Sequence, residues 1–406
     1  MKRTTLLLTL CSLLAAATAQ DTLRYGGRLH IDSANSLTLT LMQVTEADTT
    51  RFWLGSPDQT EELFPASKAH YEGDSLAISI KSLHATLRGR LTDGKFNGKF
   101  MQGLLVRPVA MQRFEGEKPY RRPQTPMAPY PYVTQEVVFR NPHTPYLFHG
   151  TVTRPDAPGR FPAVILVSGS GAQDRDETIL GHKPFAVVAD HLTRHGIVVL
   201  RYDDRGWGST DTNLYAGTTA DFAEDARHAL ETLRALPYVD KRRIGIVGHS
   251  EGGMIAEMLA ADGAANFAVL MAAPAIGGKE VLETQIKKIT GKEPDVSAYA
   301  NDTTSMNGRW MNYFYHFQPK PYLRAMRRKR VPVLVLQGLN DCQVLPEPNL
   351  KAMRKHLKYK EAEIHAYDKL NHLFQPSTTG LPFEYGQIEE TMSLDVLRDM
   401  ASFINK

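Results

Sequence analysis

Between residues 133 and 406 the chain repeats one pattern, a short and nearly continuous apolar run followed by a segment of helical period. FPAVILVS (161–168), GIVVLRY (196–202), RRIGIVG (242–248), FAVLMAA (267–273) and VPVLVLQG (331–338) are dominated by β-branched residues and leucine. A strand that is apolar at every position must be covered on both faces, the condition of parallel strands joined by crossover helices. The segments between them supply the helices. In TTADFAEDARHALETLRAL, Phe222, Ala226, Leu230 and Leu233 share one stripe, acids occupy the first turn, and Pro237 stands just past the end. The expected fold is α/β, an open and mostly parallel sheet with helices on both faces.

The preceding part reads differently. Residues 22–115 alternate polar and apolar positions, as in SLTLTL, LAISI and ATLRGRL, with turn formers at Gly73-Asp74 and Asp93-Gly94. That pattern predicts a small all-β domain. GEKPYRRPQTPMAPYPY, residues 116–132, carries five prolines and no apolar period, which predicts a stiff, extended Pro-rich linker. A chain of 406 residues, 42% hydrophobic, is long enough for both domains to have cores.

MKRTTLLLTLCSLLAAATAQ joins a basic start to an apolar stretch too short to span a bilayer, with Ala17 and Ala19 at signal-peptidase spacing. We expect a signal peptide over residues 1–19, a secreted or periplasmic protein, and no membrane span in the mature chain. Leu10 before Cys11 is not the small residue a lipoprotein signal requires. Cleavage leaves Cys342 as the one cysteine, so no internal disulfide is expected. The formal charge of +4 loses two units with Lys2 and Arg3, which gives no case for a nucleic-acid partner.

IGIVGHSEGGMIAEM, residues 244–258, runs from strand to helix through Ser250 with almost no residues for the turn. Gly248 and Gly252 let the two backbones approach, the hydroxyl is raised above the sheet edge, and a helix N-terminus lies behind it. A base and an acid follow in chain order. Asp341, in LNDCQV, stands just past a strand end, and His372, in DKLNHLF, stands on a loop after the strand EIHAY. Serine, then acid, then histidine is the order of α/β-hydrolases. Asp368 competes with Asp341, and strand-end placement favours Asp341. Two backbone N–H groups are candidate oxyanion donors, that of Glu251 and that of Ser170 in the glycine-bearing loop LVSGSGAQDRDE.

Together VSGSGAQDRDE, RYDDRGWGST, GHSEGG, LNDCQV and LNHLFQ resemble secreted bacterial α/β-hydrolases of the serine-aminopeptidase-like and dienelactone-hydrolase-like group, usually described as esterases. The resemblance covers residues 133–406, and a β-rich domain before the hydrolase is similar to some members. It implies Ser250 as nucleophile, Asp341 as acid and His372 as base. Ser168 departs from it, standing where many hydrolases carry the histidine of an HG pair.

Other constellations take ordinary readings. His191 and His195 close a helix, and no metal or other cofactor is expected. DRDE (174–177) is expected to salt-bridge within its loop or with Arg205. Cys342 is not expected to be a nucleophile. About 277–330 reads as a cap insertion, and its WMNYFYHF (310–317) either lines a pocket or packs the cap's own core. The function expected is a serine hydrolase acting on a carboxylic ester, of a small molecule or an acylated glycan, through an acyl-enzyme. The alternatives are an exopeptidase, with Glu280, Glu283 or Glu293 holding a peptide amine, and a non-catalytic binding protein on a hydrolase scaffold. Nothing in the sequence sets the oligomeric state.

Overall fold

The computed structural model describes residues 21–31, 36–46, 49–57, 63–103, 105–114, 121–207, 217–304 and 308–406. The segment read as a signal peptide lies outside them. The chain divides into two compact units, Met1–Pro119 and Tyr120–Lys406.

Among its described residues the first unit is one antiparallel sheet of nine strands: β1 (Asp21–His30), β2 (Ser36–Glu46), β3 (Thr49–Gly55), β4 (Phe64–Pro65), β5 (Lys68–Glu72), β6 (Ser75–Ile80), β7 (Ala85–Thr92), β8 (Lys95–Gln102) and β9 (Leu105–Phe114). Their spatial order is β4-β3-β2-β1-β9-β8-β7-β6-β5, so the first strand pairs with the last. The period-two pattern becomes a one-sided core. Leu76, Ile78, Ile80, Leu87 and Phe96 are buried together, while Arg88, Arg90 and Lys99 face out. Asp93 and Gly94, with φ of 51° and 72°, form the β7–β8 turn, whose mirror-image backbone suits the twist of paired strands.

The second unit is the expected α/β sheet. Its eight strands are β10 (Tyr132–Arg140), β11 (Leu147–Pro155), β12 (Phe161–Val167), β13 (Val198–Tyr202), β14 (Val239–His249), β15 (Phe267–Met271), β16 (Val333–Gly338) and β17 (Ala362–Tyr367). They lie in the order β10-β11-β13-β12-β14-β15-β16-β17, parallel from β13 to β17. Alternate residues of each buried strand feed opposite cores. Ala163, Ile165 and Val167 of β12 join α2 (Thr219–Ala235) and α3 (Glu251–Asp262), and Val164 and Leu166 join α1 (Pro184–Arg194) and the C-terminal helix Leu394–Ile404. Thr218 begins α2 with a reciprocal capping box to Asp221. Among the described residues no helix is long and apolar enough to cross a membrane.

Two features differ from the sequence expectation. The edge hairpin β10–β11 is antiparallel and was not anticipated, because polar residues such as Gln135, Glu136 and His149 interrupt its apolar positions where one face meets water. The proline-rich stretch is also not a free spacer throughout. The Arg122 guanidinium donates to the carbonyls of Leu180, Gly386 and Ile388 at 2.8, 2.8 and 3.1 Å. Gln124 donates to Met392 O and accepts from the N–H groups of Thr391 and Met392. Residues from Arg122 onward are thus fastened to the second unit.

Glu257 of α3 is fully buried, and neither carboxylate oxygen has a partner among the described residues. Burial raises its pKa well above the ordinary range. The folded state then holds a proton that the unfolded chain releases, so stability falls as pH rises above the unfolded value. Glu257→Met is expected to raise the melting temperature at pH 9 by roughly 2–4 °C or more, with the gain shrinking towards pH 4. Thermal denaturation at the two pH values checks it, and an equal gain at both contradicts it.

Candidate active site

Three backbones meet at the turn from β14 to α3. A Cβ added to Gly248 would lie 2.0 Å from Gly252 O, and one added to Gly252 would lie 2.1 Å from Val167 O. Only glycine fits at either position. Ser250 between them takes φ 54° and ψ −114°, a conformation that serine rarely holds. It is pinned by its own N–H to Met271 O at 2.8 Å and by Gly253 N–H to its carbonyl at 2.9 Å.

His372 is buried, and its Nδ1 stands 2.8 Å from Asp341 Oδ2. Asp341 is buried too. Its Oδ1 accepts the N–H groups of Gln343 and Val344, at 2.7 and 2.9 Å, and its Oδ2 accepts Gln337 Nε2 at 3.0 Å. These donors fix the carboxylate and hold Nδ1 of His372 as a donor to it. The histidine loop is shaped by Asn371, whose Oδ1 accepts from Leu373 N and Gln375 N. Asp368 is exposed on the turn after β17. The structure thus brings Asp341, and not Asp368, to the imidazole.

Ser250 and His372 line one cavity of about 300 Å³. Gly169, Ser170, Glu177, His249 and Gln343 line it as well. On its other side stand Val281, Leu282 and Gln285 of α4 (Gly278–Thr290) and Trp310, Met311 and Phe314 of α5 (Gly308–His316). WMNYFYHF therefore divides. Trp310 and Phe314 reach the cavity, while Tyr313 and Phe317 pack together and Phe317 stacks on Tyr322.

Behind the serine lies a set of buried acids that the sequence reading passed over. Glu251 accepts Thr219 Oγ1 at 2.7 Å and Trp310 Nε1 at 2.8 Å. Burial raises its pKa. Asp204 accepts Ser168 Oγ at 2.8 Å and Gln173 N–H at 2.9 Å, and burial pushes its pKa up to about 8. Ser168, the departure from the HG pattern, thus ties the loop after β12 to the end of β13. Glu177 accepts His249 Nδ1 and Gly169 N–H, both at 2.8 Å. Of the two expectations for DRDE, the pairing within the loop is present, Asp176 with Lys183, and the pairing with Arg205 is not. Arg175 pairs with Asp203 and Glu136, and Asp176 with Lys183 and Arg201. Arg205 instead meets the buried Asp225 at 2.7 Å, beneath α2. The cue for His249 and Glu177 was their position, one beside the serine and one in the loop carrying the donor candidate.

The remaining candidates are placed plainly. His191 and His195 stack 4.2 Å apart at the end of α1, and no group of metal-ligating side chains forms among the described residues. Cys342 is buried, which raises its pKa. Glu283 pairs with Lys279 at 3.7 Å and Glu293 with Lys287. Glu280 lines a separate recess with Glu347 and Lys351.

A strand-to-helix elbow above a mostly parallel sheet, with a histidine loop after the last strand, defines an α/β-hydrolase. The prolyl oligopeptidase family model matches residues 185–389, just over half of the 406-residue chain, and the chain belongs to that family. Over 269 residues, 62% of this chain, it is 30% identical to esterase EstD of Thermotoga maritima, and it spans 65% of that relative's length. Solved structures similar to it include Est1E from Butyrivibrio proteoclasticus with ferulic acid bound (15% identity, 66% of this chain and all of that one, TM-score 0.47). The Pyrococcus furiosus esterase Pf2001 is another (14% identity, 68% of this chain and 92% of that one, TM-score 0.44).

Because the clashing atoms at Gly252 are backbone, Gly252→Ala is expected to destabilise the fold by roughly 1–3 kcal/mol or more. Denaturant titration measures this, and an unchanged midpoint would show that β12 and α3 can separate.

Proposed function

We propose that the protein is a serine hydrolase cleaving a carboxylic ester through an acyl-enzyme. One observation carries this reading: a serine on a strained elbow shares a cavity with a buried histidine already bonded to a buried aspartate. Asp341 sets the tautomer of His372, and Nε2 takes the proton of Ser250 as Oγ attacks the carbonyl. The oxyanion is received by the N–H groups of Glu251 and Ser170. Gly169 N–H is already committed to Glu177, which supports Ser170 as the donor from that loop. Protonated His372 then serves the leaving alcohol, and water assisted by the same nitrogen releases the acid.

The lining favours an ester over a peptide. The three glutamates that an exopeptidase would aim at an amine are paired or face elsewhere, and the cap residues on the cavity are uncharged. The Thermotoga relative, an esterase, agrees, whereas the prolyl oligopeptidase family keeps peptide hydrolysis as the competitor. The substrate proposed is a small-molecule ester or an acylated glycan, met outside the cytoplasm, as the signal-like leader supports.

Ser250→Ala is expected to abolish fluorophosphonate labelling and ester hydrolysis with little change in melting temperature. Asp341→Asn is expected to lower kcat about 10⁴-fold, and Asp368→Asn to leave it near the starting value. Persistent labelling at another serine, or the reverse ranking of the two aspartates, overturns the assignment. Substrate class is decided separately. Short-chain nitrophenyl esters are expected to exceed aminoacyl and dipeptidyl anilides in kcat/KM, and the opposite order establishes the peptidase.

A further inference from the structure

His249 has no part in the reaction as described, yet its ring is more tightly bound than the setting of a bystander requires. Nδ1 faces Glu177 Oε1 at 2.8 Å, and Nε2 faces the carbonyl oxygen of His372 at 3.0 Å. Both neighbours are acceptors. A carbonyl oxygen cannot donate, so Nε2 must carry a proton, and a carboxylate that also accepts Gly169 N–H calls for a second proton at Nδ1.

We propose that His249 is held as a doubly protonated imidazolium by Glu177, and that this buried ion pair is a positioning device for the hydrolytic site. The proposal rests on the function given above. One oxygen, Glu177 Oε1, grips both the ring and the loop that carries Ser170. The ring sits one residue before Ser250 and grips the backbone of the base through His372 O. Its centroid lies 4.8 Å from that of the His372 ring. Nucleophile elbow, oxyanion loop and base loop are thereby joined by three hydrogen bonds around one cation.

Two further observations support the pair. Glu177 adopts φ 53°, a left-handed conformation that a glutamate holds only where its surroundings enforce it. A Cβ at Gly169 would lie 3.3 Å from Ser250 Cβ and 3.5 Å from both Glu177 Oε1 and His249 Nδ1, so the loop is seated directly on this cluster. The titratable groups around the ring are Glu177, His372 and, behind them, Asp341. Burial alone would lower the pKa of His249, and the Glu177 carboxylate more than offsets that and raises it. As pH rises the ring gives up its proton, a lone pair at Nδ1 then faces the carboxylate, and the joint opens.

Glu177→Gln tests the device. The amide oxygen can still accept from both Gly169 N–H and the ring, but it carries no negative charge to hold the second ring proton. We expect kcat to fall roughly 10- to 100-fold with KM within about twofold, and the alkaline limb of the kcat/KM profile to move to lower pH. Wild-type turnover in folded Glu177→Gln overturns the proposal. The unmutated protein gives an independent reading. ¹⁵N spectra at pH 8 are expected to contain a doubly protonated histidine ring protected from exchange, since an ordinary ring is neutral there. Absence of such a ring overturns the proposal whether or not the variant folds. Ser250→Ala, measured alongside, separates the two claims. Activity surviving that change defeats the hydrolase reading, whereas the ring's charge state stands or falls on the spectrum.

Discussion

The site depends on how closely β14, α3 and β12 approach one another. With a carbonyl oxygen about 2 Å from where a Cβ would be on Gly248 and on Gly252, the chain has no slack between strand and helix. Ser250 absorbs the whole change of direction in one residue. The hydroxyl is therefore placed by backbone packing, and no side chain need hold it. The same packing leaves Glu251, the first residue of the helix, nowhere to go but inward, and the cap meets the core at its carboxylate.

Four acids lie in or beside this crowded region, and they are accommodated in two ways. Glu177 and Asp225 face basic side chains, His249 and Arg205. Asp204 and Glu251 receive hydroxyl, indole and amide donors instead, and burial lifts both towards the protonated form. A neutral acid can be buried without the desolvation penalty of a charge. Behind Ser250 the acids are thus paired or hydrogen-bonded, and the cavity in front carries uncharged side chains from the cap.

Much of this was legible in the chain. Runs such as RRIGIVG declared buried parallel strands because apolar residues at every position leave no face for water. Ser250, Asp341 and His372, which the structure gathers around one cavity and one hydrogen bond, stand in a fixed chain order on the turns and loops that follow strands. What escaped was long-range and polar. The hairpin β10–β11 hides its strand character behind Glu136 and His149, and Arg122 lies among prolines that suggested a free spacer. Glu177 and His249 are 72 residues apart, and no local pattern announces that a loop acid will meet the residue beside the serine. Burial and periodicity are written locally, whereas the partner of a buried charge is decided by which loops the sheet edge brings together.

Trp310 links these layers. Its indole N–H donates to the carboxylate of Glu251, the residue after Ser250, while its helix lines the cavity. The chain contains three tryptophans, and Trp53 belongs to the first unit. The Trp310 indole has its polar end tied to a buried carboxylate, and its ring borders the space that a ligand must fill. Trp310 thus stands where the cap meets the elbow, and a ligand filling the cavity must lie against its ring.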